Sequence, residues 1–165
     1  MHVNFVIILV SALIPMLTGF IWYNPKVLGT AWMHEAGITE EKMKDVNMFK
    51  MLGVSFILSF FLAMSVQFMV IHQYGLYSLF AGQDISDPNS EVGAFFKSIM
   101  DRVGNNYRTF KHGAFHETIA GLFTGTGILG TNAVFERKSF KYVAINVGYW
   151  TLTLALMGGV ICAFA

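Results

Sequence analysis

The sequence predicts an all-α membrane protein with four transmembrane helices, and three observations carry that prediction. Of its 165 residues 55% are hydrophobic and only 13% charged, about half the charge of an ordinary soluble domain. Four stretches are long enough to supply the roughly 20 helical residues that about 30 Å of hydrocarbon requires. They are apolar throughout instead of alternating, which in lipid means helices and not strands.

The spans are read at residues 3–23, 51–73, 116–135 and 142–164, in one domain covering 1–165. The first lacks a cationic lead and a small-residue cleavage site, so it reads as a retained helix and not as a signal peptide. Two short surface helices follow. Asn24 caps the first, with Pro25 at its first helical position and Gly37 as its stop. The second starts at Thr39, with Glu40 and Glu41 where the helix dipole favours acids. Trp22, Tyr23 and Trp32 make an aromatic belt at that interface.

In the second span Ser55, Ser59, Ala63 and Gln67 recur every four residues, a small-residue seam suited to helix packing that ends in an amide. The connection at 74–111 holds the polar turn Asp84-Ile85-Ser86-Asp87-Pro88 and then an amphipathic helix at about 90–103. Val92, Phe95, Phe96, Ile99, Met100 and Val103 share one face, with Lys97, Asp101 and Arg102 opposite. Such a helix is expected to lie in the membrane interface. The alternatives are a lid over the bundle mouth or a dock for a membrane-protein partner.

The third span carries the candidate functional cluster: His112, His116 and Glu117. The two histidines are one turn apart and share a face, whereas Glu117 points about 100° away. The order His-Gly-Ala-Phe-His-Glu matches neither zinc-protease pattern. Two neutral ligands are too few for a metal, and His72 is the only other obvious histidine at that end, so no metal or cofactor is expected. From Glu117 to Glu136 is about 28 Å of helix. The two acids are therefore expected at the two interfaces, Glu117 paired with His116, Arg108 or Lys111. Between them, Gly121-x-x-x-Gly125 with Thr124 and Gly127 forms a packing groove, which makes this span the packing core of the bundle. In the last hairpin Asn132 and Asn146 fall at similar depth, so a hydrogen bond between them would satisfy two amides in hydrocarbon.

Charge excludes some functions and orients the chain. A net charge of +1 leaves no basic face for nucleic acid. The lone Cys162 allows neither a disulfide framework nor a thiolate cluster. Seven Lys and Arg flank the first and third connections against four in the second. The positive-inside rule then places both termini outside the cytoplasm. No Gly-x-Ser-x-Gly elbow, phosphate loop or pair of carboxylates at one depth suggests catalysis.

Two groups of residues carry a family resemblance. Phe20-Ile21-Trp22-Tyr23-Asn24-Pro25, then Gly29, Trp32-Met33 and Gly37-Ile38-Thr39-Glu40-Glu41, resemble the first half of bacterial integral-membrane proteins grouped as domain of unknown function 1761. Asn132-Ala133-Val134-Phe135-Glu136-Arg137 and Ile145-Asn146-Val147-Gly148-Tyr149 resemble that family's last hairpin, and His116 resembles a histidine of its third span. The resemblance covers most of the chain outside the long second connection. It implies a four-helix bundle in the bacterial inner (plasma) membrane, of unestablished function, and supplies no catalytic residue. Together these readings favour a non-enzymatic accessory or scaffold subunit, in contact with the lipid bilayer and assembled as a homo-oligomer. The alternatives are a small channel or transporter with a path near His116, Glu117 and Thr124, or a membrane enzyme acting on a lipid-like substrate.

Overall fold

The structure, a computed structural model, describes residues 3–39, 41–42 and 46–165. Among the described residues four helices are long and apolar enough to cross a membrane: Phe5–Trp22, Met48–Val70, Phe110–Phe135 and Phe140–Phe164. No strand occurs among the described residues.

The first crossing is broken into α1 (Phe5–Ser11) and α2 (Ile14–Trp22). Pro15 causes the break, since it has no N–H to give the Ser11 carbonyl and its ring crowds that turn. Asn4 caps α1, accepting from the Ile7 backbone N–H. After Tyr23 the chain makes a turn, in which the Asn24 carbonyl accepts from Val27 and Gly29. Helix α3 (Gly29–Ala36) thus begins later than the predicted Asn24 cap. Gly29 is needed there because any side chain would run into the Tyr23 carbonyl oxygen. Gly37 ends α3 as predicted, in the left-handed region at φ 72° that glycine adopts freely. The second short helix, expected from Thr39 through Glu40, lies largely outside the described residues.

Helix α4 (Met48–Val70) is capped by Asn47. It leads through His72 into α5 (Gln73–Leu79), and α6 (Glu91–Val103) follows, capped by Ser90. The apolar face of α6 is partly covered by α5: Phe96 is buried, its ring 5.0 Å from that of Tyr77 and 5.3 Å from that of Phe80. The Gln73 amide donates to the carbonyls of Val103 and Asn106 at 3.0 and 3.1 Å and ties this hairpin back to its base. The third crossing is α7 (Phe110–Ile119), a π-helical turn at Ala120–Thr124, and α8 (Gly125–Phe135). It starts before the predicted residue 116, because Thr109 accepts from the His112 N–H and caps the helix there.

The last helix, α9 (Phe140–Phe164), is the packing core, in place of the third crossing that the sequence suggested. It buries 44% of its apolar window against 11% for the third crossing. Lipid tails give no hydrophobic drive for helix association, so close contact and hydrogen bonds must do it. Both are present. The Thr18 and Thr153 hydroxyls meet at 2.7 Å, Tyr149 donates to the Pro15 carbonyl at 2.7 Å, and the Trp22 indole donates to the Ile145 carbonyl at 3.1 Å. Ile8, Ala63, Val66, Val70, Ile71, Met157, Ile161 and Cys162 fill the centre.

The two ends of the bundle differ. At one end α3 is clamped to the last hairpin: Lys138 donates to the Ala36 carbonyl at 2.7 Å, and Glu35 accepts from Ser139 with Lys141 at 3.6 Å. At the other end Arg108 donates to the carbonyls of Cys162 and Ala165, neutralising orphan acceptors at the α9 C-terminus.

Candidate functional site

Three imidazoles meet at the Arg108 end. His112 and His116 project from one face of α7, and His72 comes from the turn after α4. Their candidate ligand nitrogens all lie within 4.8 Å of one another. The Nε2 atoms of His72 and His112 are 2.8 Å apart, a hydrogen bond whose donor is set by the tautomers of the two rings. The ring centroids form a triangle of 4.9, 4.9 and 4.4 Å. Tyr107 stacks on His112 at 5.0 Å and 27°. Its backbone is held in the left-handed region at φ 62°, a strained placement for a bulky residue. The Cys162 thiol donates to its carbonyl and helps fix it.

Among the described residues no cation pairs with Glu117, which the sequence expected to find His116, Arg108 or Lys111 as its partner. Glu117 is 1% exposed and turns away from the histidines onto α9, where a side chain at Gly158 would come within 2.9 Å of its Cβ. Arg108 cannot serve it, having given its guanidinium to the α9 carbonyls. One carboxyl oxygen, Oε1, is buried without a hydrogen-bond partner. The physical reason is the early start of α7: with the helix capped at Thr109, Glu117 lies about two turns inside it.

Gly113, Glu117 and Gly121 form the actual close seam with α9. A Cβ at Gly113 would stand 2.5 Å from Cys162 Cβ, and one at Gly121 would stand 2.6 Å from Thr151 Cα. Gly125, predicted to continue the seam, meets nothing within 4 Å. On α4 the predicted series divides in the same way, with Ser59, Ala63 and Gln67 buried and Ser55 only half-buried. The Gln67 amide oxygen accepts from Tyr74 at 3.3 Å.

Beside Glu117 a groove of about 300 Å³ runs between α4 and the third crossing, with α9 as its floor. Leu62, Val66, Met69, Ile128, Leu129, Trp150 and Leu154 give it an apolar wall, and Glu117, Ser65 and Thr124 are its polar side chains. Its size is at the lower end of small-ligand pockets. The helices are antiparallel, so the Met69 and Glu117 end of the groove is the end nearest the three histidines.

The predicted amide pair does not form. Asn146 instead accepts from the Tyr23 hydroxyl at 3.0 Å and donates to the Tyr142 carbonyl at 2.8 Å, while Asn132 is exposed. Equal depth was not enough, because the two side chains leave their helices in different directions. Sequence reasoning also missed the role of His72 and the Tyr107 stack. Both depend on which helix ends become neighbours, and only the proximity of His72 to the end of its span hinted at it.

Outside the spans, Glu35 is the best-defined ion site. Its hydrogen bond from Ser139, with help from His34 and Lys141, holds its carboxyl below the usual range. The Ser86 hydroxyl and N–H do the same for Asp84.

A family model described as "Protein of unknown function (DUF1761)" matches residues 6–162. No curated protein and no solved structure matches the chain. With nearly its whole length covered, the chain belongs to that family.

Proposed function

Starting from membership of that family, we propose that the protein is a non-enzymatic accessory subunit of the membrane that holds one lipid-like molecule in the groove between α4 and the third crossing. The observation that carries this reading is the buried Glu117 carboxyl, whose Oε1 has no partner, at one end of an otherwise apolar groove. An unpaired carboxyl oxygen at membrane depth is costly. A hydroxyl-bearing head group would satisfy it while the hydrocarbon chain covers the wall. Ser65, Met69 and Ile128 at the rim are exposed, so entry would be lateral, from the bilayer. A transport path would need its polar lining to continue past Thr124. There Ile128, Leu129 and Leu154 take over, which supports binding over permeation.

Assembly as a homo-oligomer is compatible with this reading. The third crossing leaves Phe123, Ile128, Val134 and Phe135 outward, and Gly127 and Gly130 leave room for a close neighbour.

The test is lipid analysis and native mass spectrometry of the chain purified in mild detergent. Wild type should retain one lipid class in a stoichiometric amount. Ser65→Trp, which fills the groove from its rim, should abolish retention, and Glu117→Ala should weaken it. The same lipid, retained equally by the filled variant, would refute the proposal.

A further inference from the structure

We propose that His72, His112 and His116 form a binding site for a divalent first-row transition metal, zinc being the default, with a fourth coordination position left open. The inference stands on the imidazole cluster alone and does not depend on a lipid in the groove. Metal–nitrogen bonds of about 2.0–2.1 Å in a tetrahedron place ligand nitrogens about 3.3–3.4 Å apart. The cluster brackets that spacing, with one pair at 2.8 Å and every pair within 4.8 Å. The differences, about 0.5 Å for the close pair and at most about 1.4 Å for the others, are within reach of side-chain rotation. Binding through both Nε2 atoms would require the donor ring to carry its hydrogen on Nδ1 instead, so that both rings ligate as neutral imidazoles.

The surroundings suit a ligand set better than a cluster of charges. Among the described residues no carboxylate forms an ion pair with any of the three imidazoles. Glu117, next in sequence to His116, faces α9, and Arg108 is spent on the α9 carbonyls. Lys111 adds only positive charge nearby. Neutral imidazole is the form that binds metal. All-imidazole donors select zinc, copper, nickel or iron over magnesium or calcium. A set of three histidines is the pattern that leaves a position for water or a substrate oxygen.

Two features support the geometry. His112 and His116 are held one turn apart on a capped helix that packs through Gly113 and Gly121 onto the bundle core. Tyr107, strained at φ 62°, closes one side of the site by stacking on His112. Strain of about 1–3 kcal/mol for such a backbone is usually kept where a site needs it.

The test uses the full chain without a polyhistidine tag, stripped with a chelator in detergent and then dialysed against zinc or cobalt. Elemental analysis should find one metal per chain, and cobalt should give the visible spectrum of a nitrogen-ligated, low-coordinate site. His72→Ala, at an exposed position where folding is least disturbed, should weaken binding at least about tenfold. His116→Ala should do the same, and His34→Ala at the opposite end should change nothing. Ser65→Trp should keep the metal even as it loses lipid, which separates this site from the groove. Binding well below one metal per chain in the wild type, or equal affinity in His72→Ala, would overturn the assignment and leave a hydrogen-bonded histidine pair.

Discussion

Gly113→Ala measures how closely α7 and α9 must approach. A Cβ at 113 would lie 2.5 Å from Cys162 Cβ and 2.7 Å from the Gly158 carbonyl carbon, where ordinary contact begins at 3.4 Å. The Gly158 carbonyl oxygen stands closer still, so the deficit exceeds the roughly 0.9 Å found at Cys162 Cβ, and because that obstacle is backbone the helices must separate to relieve it. Separation loosens the whole Gly113–Glu117–Gly121 seam. Overpacking of this kind costs about 1–3 kcal/mol, and the upper half of that range is expected where backbone cannot yield. Gly53→Ala is the matched control on α4, since nothing stands within 4 Å of its Cβ. There the same change should stabilise by about 0.5–1 kcal/mol through helix propensity. Reversible unfolding in mixed micelles, followed by circular dichroism, would compare the two. The reasoning fails if both variants shift stability in the same direction, or if Gly113→Ala is neutral.

Two further outcomes are expected. Glu35 has a depressed carboxyl pKa in the folded state, so its contribution is present above the unfolded value near 4.5 and is lost as pH falls through the lower folded value. Wild type should therefore exceed Glu35→Gln in thermal stability at neutral pH, and the difference should shrink as pH falls through the carboxylate range; a gap that does not change with pH would contradict the assignment. The asymmetry of basic residues predicts that a periplasmic reporter fused after Ala165 is active and one inserted beside Arg137 is inactive, and the reverse pattern would invert the orientation.

The helical class and the number of crossings were legible because long apolar runs have few alternatives in lipid. Boundaries were less legible, although the signals were present: Asn47, Thr109 and Ser139 each cap a crossing through a side-chain oxygen. Reading Thr109 as a cap would have placed Glu117 inside the bundle at once. The π-helical turn at Ala120–Thr124 left no trace in an apolar run that suits any helical winding. His112 and His116 could be paired from spacing alone, since one turn of helix sets it. His72 could not, because its place depends on the packing of α4 against α7. The Asn132 and Asn146 expectation failed for the same reason, as depth along a helix is readable and the direction around it depends on neighbours.

The central position of α9 has a consequence for how the chain is made. The three earlier crossings precede in sequence the helix with which several of their polar side chains pair. The Trp22 indole and the Tyr23 hydroxyl find their partners on α9, and Arg108 finds its carbonyls at the end of that helix. During synthesis these groups must wait beside lipid or the insertion machinery. Packing of these groups is therefore completed only once α9 is in place, and a chain stalled before residue 140 would leave them without those partners.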